Sequence, residues 1–238
     1  FLPIKIRPMN YGEEFKKFAI KDQGINSAHL DKTLGALVPN IHGFTPQVIE
    51  ERKMNIVGMD VFSRLMMDRI IFLGVPVNDY VSNVVQAQLL FLESTDAKRD
   101  IQLFINSPGG SVIDGMGIYD TMQYVSPDIA TICTGLAASM SAVLLAAGNK
   151  GKRTCLPHSR VMIHQPSGGM QGQFSDMEIS YNLIKQLREE LYTILAEHTE
   201  KTFEQIEQDS DRDNWMTAHQ AKEYGLVDEV LERSKQNP

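Results

Sequence analysis

The chain has 238 residues, 42% of them hydrophobic and 22% charged, which is enough apolar matter for the core of one ordinary domain. Its 23 basic and 30 acidic residues leave a net charge of −7, arguing against a general nucleic-acid or anionic-membrane binder, since both need a clustered positive surface. No run of eighteen apolar residues occurs, and the longest apolar stretch, Ala142 to Ala147, is far too short for a transmembrane helix.

Residues 1–57 carry Pro3, Pro8, Pro39 and Pro46 and show no sustained period of 2 or 3.6. They are expected to be an extended or partly disordered N-terminal extension, ahead of a folded domain over 58–238. Phe1 to Asp22 lacks the charged-then-apolar layout of a signal peptide and contains Glu13 and Glu14, so it reads as neither a secretory nor an organellar leader. Cys133 and Cys155 lie in apolar contexts without CxxC spacing. They are expected to be buried thiols in a reducing compartment, with the cytoplasm as the expected location.

From Met59 onward, strand and helix signals alternate. Arg69 to Leu73 is a short apolar run closed by Gly74, hence a buried strand. Asp79 can cap a helix whose apolar positions Val81, Val84, Val85, Leu89 and Leu92 recur at three and four. Ile101 to Ile105 is the next strand, broken at Asn106-Ser107-Pro108-Gly109-Gly110, and a helix follows through Ile113, Met116, Ile118 and Met122. Strand Ile129 to Cys133 leads to a small-residue turn, Thr134 to Ala138, and then to the apolar helix Met140 to Ala147. Arg153 to Leu156 and Arg160 to His164 are strands, and a glycine-rich stretch precedes a long helix from about Asp176 to His198. Short helices around Phe203 to Gln208 and Ala218 to Tyr224, and a strand at Leu226-Val227, complete the chain. Repeated strand–helix units predict an α/β fold with parallel pairing.

Ser139 follows a strand and a tight turn and opens an apolar helix. A hydroxyl there commonly just caps the helix. The small residues Gly135, Ala137 and Ala138 nevertheless leave room for a substrate, and free N–H groups at a helix start can stabilise developing negative charge. The G-x-S-x-G elbow of α/β-hydrolases is absent. His164 ends an apolar strand, either as a structural hydrogen-bonding group or as the base that a serine hydroxyl needs. The aspartates at 209, 211 and 213 suggest a calcium loop, but Asn214 stands where that loop needs glycine and Gln220 where it needs glutamate. No metal is therefore expected, and a solvated acidic turn is the simpler account. Gly109 and Gly110 form either an ordinary turn or a backbone N–H that a substrate oxygen can approach closely.

Phe62-Ser63-Arg64-Leu65, Ile105-Asn106-Ser107-Pro108-Gly109-Gly110, Ile118-Tyr119-Asp120-Thr121-Met122, Ala137-Ala138-Ser139-Met140, Met162-Ile163-His164-Gln165-Pro166, Arg212-Asp213 and Glu223-Tyr224-Gly225-Leu226-Val227 stand in this order between about Val48 and Arg233. Together they resemble the ClpP family of ATP-dependent protease subunits. The resemblance implies a serine peptidase with Ser139 as nucleophile, His164 as base and Asp213 orienting it, and with the N–H groups of Gly110 and Met140 as oxyanion donors. It implies a crotonase-like α/β spiral with a protruding helix-plus-strand handle at about 165–199, including Gly168-Gly169, assembled as two stacked heptameric rings around a chamber. The handle strand would pair with unfolded polypeptide by strand addition. Arg212 would couple ring contacts to site geometry, and Phe104, Tyr124 and Leu231 would dock an AAA+ unfoldase of the ClpX, ClpA or ClpC kind. No cofactor is implied: this chain lacks the G-x-x-x-x-G-K-[ST] loop, and ATP chemistry would belong to the partner.

Three departures stand out. Ser141 replaces a frequent glycine, Gln102 and Thr154 stand where aromatics are often found, and the extension is long, with self-processing expected between about Asn26 and His42. Strand alternation puts Gln102 and Phe104 on one face, opposite Ile101, Leu103 and Ile105. Two rival readings are a crotonase-type acyl-CoA enzyme, which would need no serine, and a non-catalytic or partner-dependent subunit of a mixed ring. The complete set Ser139, His164 and Asp213 speaks against the acyl-CoA and non-catalytic readings and leaves dependence on a second subunit open.

Overall fold

The computed structural model describes residues 47–52, 55–168 and 172–232. The chain divides into two compact units, Phe1–Val61 and Phe62–Pro238. In the first, β1 (Gln47–Arg52) and β2 (Asn55–Asp60) pair antiparallel, from Gln47↔Asp60 to Arg52↔Asn55. This hairpin falls at the end of the segment read as an extended or partly disordered extension, and β2 runs across residue 57. Val48-Ile49 and Ile56-Val57 are adjacent apolar pairs that break the alternation by which a half-buried strand is recognised. The expected processing region, 26–42, lies outside the described residues.

The second unit is built on seven strands: β3 (Ile70–Leu73), β4 (Ile101–Ser107), β5 (Ile129–Ala138), β6 (Arg153–Cys155), β7 (Arg160–Ile163), β8 (Asn214–Thr217) and β9 (Glu229–Val230). Their order is β3-β4-β5-β6-β9, with β7 pairing β5 and β8 pairing β7. All pairs are parallel except β7–β8. The helices are α1 (Val61–Met67), α2 (Asp79–Thr95), α3 (Val112–Tyr124), α4 (Met140–Ala146), α5 (Phe174–Thr199), α6 (Phe203–Asp209) and α7 (Ala218–Tyr224). The α/β class predicted from alternation is the class observed.

Four local readings change. The stretch 134–138 is strand, not turn. Between Ile105↔Cys133 and Ser107↔Ala137, β5 takes up extra length in a register shift, and Asn106 Oδ1 accepts the Leu136 N–H there at 3.1 Å. Small residues mark that irregularity because a Cβ on Gly135 would lie 2.6 Å from Asn106 Oδ1. Asn78, not Asp79, caps α2 by accepting from the Val81 N–H. Arg69 does not begin β3. It has φ 67 and is buried, and its guanidinium donates to Leu92 O at the end of α2, as well as to Arg99 O and Asp100 O. The last strand is β9, not Leu226-Val227. Leu226 and Val227 are buried in the approach to it.

β5 has two partners along its length. Thr131–Cys133 pair β6, and Leu136–Ala138 pair β7. The core lies between the sheet and α2, α3 and α4, around Leu73, Leu89, Leu103, Ile105, Ile118 and Leu144, all fully buried. All seven residues of α4 are buried. β4 alternates as expected, with Ile101, Leu103 and Ile105 inside and Gln102 and Phe104 on the outer face. Cys133 and Cys155 face each other in register across β5 and β6 as free, buried thiols. Among the described residues no helix is long and apolar enough to cross a membrane.

Candidate active site

Ser139 stands between β5 and α4 with φ 56 and ψ −128. Such backbone is strained for a residue with a Cβ and costs about 1–3 kcal/mol. Three bonds hold it: the Ser139 N–H donates to Met162 O at 2.8 Å, and Ser139 O accepts from the Ala142 N–H at 2.9 Å and the Val143 N–H at 3.4 Å. The hydroxyl makes no capping bond to α4, so the simple cap reading fails. The elbow sequence is missing, yet a sharp strand-to-helix turn with a strained serine is present.

Register brings the partners in. β7 lies beside the end of β5, with Ala138↔Met162, so His164, just past β7, faces Ser139. β8 runs antiparallel to β7 with Ile163↔Asn214, which sets Asp213 beside His164. His164 Nδ1 lies 2.9 Å from Asp213 Oδ1, and His164 Nε2 lies 2.9 Å from Ser139 Oγ. An ionised carboxylate only accepts, so Nδ1 carries the proton and donates to Asp213. In the neutral ring Nε2 is then an acceptor, and the Ser139 hydroxyl donates to it. The loop is lashed down by the Gln165 N–H to Ser210 O at 2.6 Å and by Gln165 Nε2 to Asp211 O at 2.7 Å.

The acidic turn is not one cluster. Asp209 accepts from Tyr224 Oη and Gln205 Nε2, Asp211 from Gln165, and Asp213 from His164. Among the described residues no group of three or more His, Cys, Asp or Glu could hold a metal ion.

Gly109 and Gly110 have φ 87 and φ 151. A Cβ on Gly109 would lie 2.5 Å from Ala138 O and 2.9 Å from Met140 N, so only glycine lets this turn lie against the start of α4. The Val77 N–H donates to Gly109 O and the Ser111 N–H to Val77 O. These two bonds flank Gly110 in a parallel bridge, which turns the Gly110 N–H away from Val77. Neither the Gly110 nor the Met140 N–H has an acceptor among the described residues. Two free donors therefore stand on adjoining turns beside Ser139.

Sequence reasoning missed the walls. A pocket of about 20 Å³ beside Ser139 and His164 is lined by Val112, Val143, Ile163, Leu191, Tyr192 and Leu195. The α5 contribution is the buried face of a helix otherwise largely exposed, and the spacing of Leu191, Tyr192 and Leu195 is the signal that could have revealed it. Arg188 lies over the Tyr192 ring at 5.8 Å, and Phe203 meets that ring edge-on. An open groove of about 630 Å³ continues from His164 past Pro166 and Gly168 to Arg212 and Asp213.

Of the remaining candidates, Arg212 and Gly168 line the groove beside the cluster, and Phe104, Tyr124 and Leu231 lie on other elements. The Arg212 side chain is 90% exposed and, among the described residues, pairs with Asp211 at 3.7 Å. Phe104 stacks on Phe72, with ring centroids 6.2 Å apart and planes 10° apart. Tyr124 and Leu231 are exposed at the end of α3 and just after β9. Gly168 belongs to no strand of this chain, and Gly169 lies outside the described residues.

Comparison with known proteins identifies a family. A family model described as Clp protease matches residues 52–234. An ATP-dependent Clp protease proteolytic subunit of Porphyromonas gingivalis is 59% identical over 222 residues, covering 93% of this chain and 99% of that protein. Proteins of the same description from Bacteroides fragilis and Bacteroides thetaiotaomicron are each 58% identical over 219 residues, covering 92% of this chain and 98% of their own length.

Proposed function

This chain belongs to the Clp protease family as a Clp-type serine endopeptidase, the proteolytic subunit, and on that premise we propose that Ser139, His164 and Asp213 are its catalytic triad. The observation that carries the proposal is the unbroken row from Asp213 Oδ1 through both ring nitrogens of His164 to Ser139 Oγ, with both contacts at 2.9 Å. Ser139 Oγ attacks a peptide carbonyl carbon while His164 Nε2 takes the hydroxyl proton. The carbonyl oxygen gains negative charge and is held by the Gly110 and Met140 N–H groups. His164 returns the proton to the leaving amine, and water repeats the sequence on the acyl-enzyme. Asp213 keeps the proton on Nδ1 and stabilises the charged ring. The reaction needs no cofactor in this chain.

The wider setting is part of the same proposal. The substrates are unfolded polypeptides, and an AAA+ unfoldase of the ClpX, ClpA or ClpC kind spends ATP to supply them. Two heptameric rings stack around a chamber in the cytoplasm. Phe174, Ile179, Tyr181 and Leu183 are 77%, 68%, 56% and 47% exposed on α5, an apolar surface that ring stacking would cover. Arg212 is free to reach a neighbouring subunit. Phe104, Tyr124 and Leu231 belong to the docking face, and the extension is removed between about Asn26 and His42.

A fluorophosphonate probe is expected to label Ser139 and no other residue. Ser139→Ala is expected to keep the assembly while abolishing cleavage of a fluorogenic peptide and removal of the extension. Cleavage retained by that variant would remove Ser139 from the mechanism.

A further inference from the structure

Ser141 is fully buried in the first turn of α4, next to Met140. Its hydroxyl donates to Ser107 Oγ at 2.8 Å. Ser107, fully buried at the end of β4, gives its own proton to Val75 O at 2.7 Å and accepts from the Gly109 N–H at 3.2 Å. A hydroxyl has one proton and two lone pairs. Ser107 Oγ is therefore saturated, joining three separate pieces of chain at one atom.

Those pieces matter because the two free N–H donors lie on different elements. Gly110 belongs to the turn after β4, and Met140 begins α4. The turns 108–110 and 139–141 share no backbone hydrogen bond among the described residues. Packing presses them together, since a Cβ on Gly109 would lie 2.9 Å from Met140 N. The Ser141–Ser107 bond is a directional link across that gap. From Ser141 it reaches Ser107, and from Ser107 it reaches both the Gly109 N–H and the Val75 carbonyl. The Val75–Val77 segment closes the frame through its bonds to Gly109 O and from the Ser111 N–H.

We infer that Ser141 is a positioning residue for the oxyanion hole, setting the separation of the Gly110 and Met140 N–H groups through Ser107. This rests on the reading of Ser139 as nucleophile. Ser141 touches no reacting atom. It acts on the part of the site that binds charge only in the transition state, so its loss lowers kcat and leaves KM in place.

The test uses the full assembled protein, a fluorogenic peptide, and a peptide boronate that forms a tetrahedral adduct on the serine. Ser141→Ala is expected to lower kcat about 3- to 10-fold, the worth of one neutral hydrogen bond, with KM within about twofold. Boronate affinity is expected to fall by the same factor as kcat. Ser141→Cys, similar in size with a weaker donor, is expected to fall between the alanine variant and the native chain. In a Ser107→Ala background, Ser141→Ala is expected to change nothing further.

Native kcat in Ser141→Ala overturns the inference, as does a lowered kcat with unchanged boronate affinity. If Ser141→Ala does not assemble, Ser141→Cys decides by the same two readings. Fluorophosphonate labelling separates this inference from the reading beneath it. Native protein labelled at Ser139, with Ser141→Ala unaltered in kcat, overturns the role of Ser141 alone. Native protein not labelled at Ser139 overturns both.

Discussion

Asp213 holds His164 through one carboxylate oxygen, and the proposed mechanism depends on which ring nitrogen that contact protonates. An amide at this position can present its NH₂ to Nδ1, which moves the ring proton to Nε2 and leaves Ser139 without an acceptor. In a related triad the same change cost about 10⁴ in turnover. The Asp213 side chain is 60% exposed, so water can partly replace the lost acceptor. Asp213→Asn is therefore expected to lower kcat by about 10²–10⁴, measured with a fluorogenic peptide, with KM little changed. A loss under about tenfold would remove Asp213 from the triad. The strained backbone of Ser139 belongs to the same scale. A serine that merely capped α4 would have no need of φ 56.

At the scale of elements, Arg153 ties the second unit together. It is buried in β6, and its guanidinium donates to both oxygens of Asp228, to His198 O near the end of α5 and to Ala146 O at the end of α4. Burial pushes the Asp228 carboxyl up, but the hydrogen bonds from Arg153 outweigh it and hold the group below the usual carboxylate range. Burial first, and then the Arg153 charge, hold His198 below the ordinary histidine value, against the opposing pull of Glu197. The His198 ring also meets Tyr119 Oη at 3.3 Å.

Both shifts act on the acid side. As pH falls below about 6.5, the unfolded chain protonates His198 before the folded chain does, and stability drops. Asp228 contributes stability above its unfolded value of about 3.9 and loses it as pH falls through its lower folded value. The thermal midpoint is therefore expected to fall in two stages between pH 7 and pH 3. A midpoint that held level or rose over that range would contradict this account. Arg153→Ala removes the buried guanidinium from a half-buried Asp228 that keeps the Gly151 and residue-153 backbone N–H donors, and is expected to cost at most about 3–5 kcal/mol in denaturant unfolding.

At the scale of the whole molecule, the proposed function places catalysis and delivery on different surfaces. The triad lies where β5, β7 and β8 meet, beside the buried turn of α5. Phe104 lies on the outer face of β4. There Phe72 stacks on Phe104, and Phe62 packs against Phe72 at 6.0 Å. The three rings form one aromatic strip, which extends the proposed docking face from Phe104 to Phe72 and Phe62. Phe72→Ala with Phe104→Ala is expected to leave short-peptide cleavage within about twofold of native and to lower unfoldase-driven degradation of a folded protein at least about tenfold, since buried aromatic anchors dominate such contacts. Equal losses in both assays would mean that the strip supports the fold and not the partner.

How much could be read in advance varied by element. The long helix, the buried face of β4 and the helix from Asp79 were legible because periodicity reports burial directly. β8 was not, because four residues between an aspartate-rich turn and a helix cap carry no period of their own. The end of β5 was taken for a turn because Gly135, Ala137 and Ala138 are small, and small residues mark a register shift as well as they mark a loop.

From the amino-acid order alone came the α/β alternation, the family resemblance and the identity of Ser139, His164 and Asp213 as the groups to watch. These are properties of local pattern and short motifs. Tertiary structure alone decided that β8 returns antiparallel to β7, that α5 lends its buried turn to the pocket, and that Ser141 reaches Ser107. Each of those joins residues far apart in the chain, where partner and direction are set by sheet register and packing.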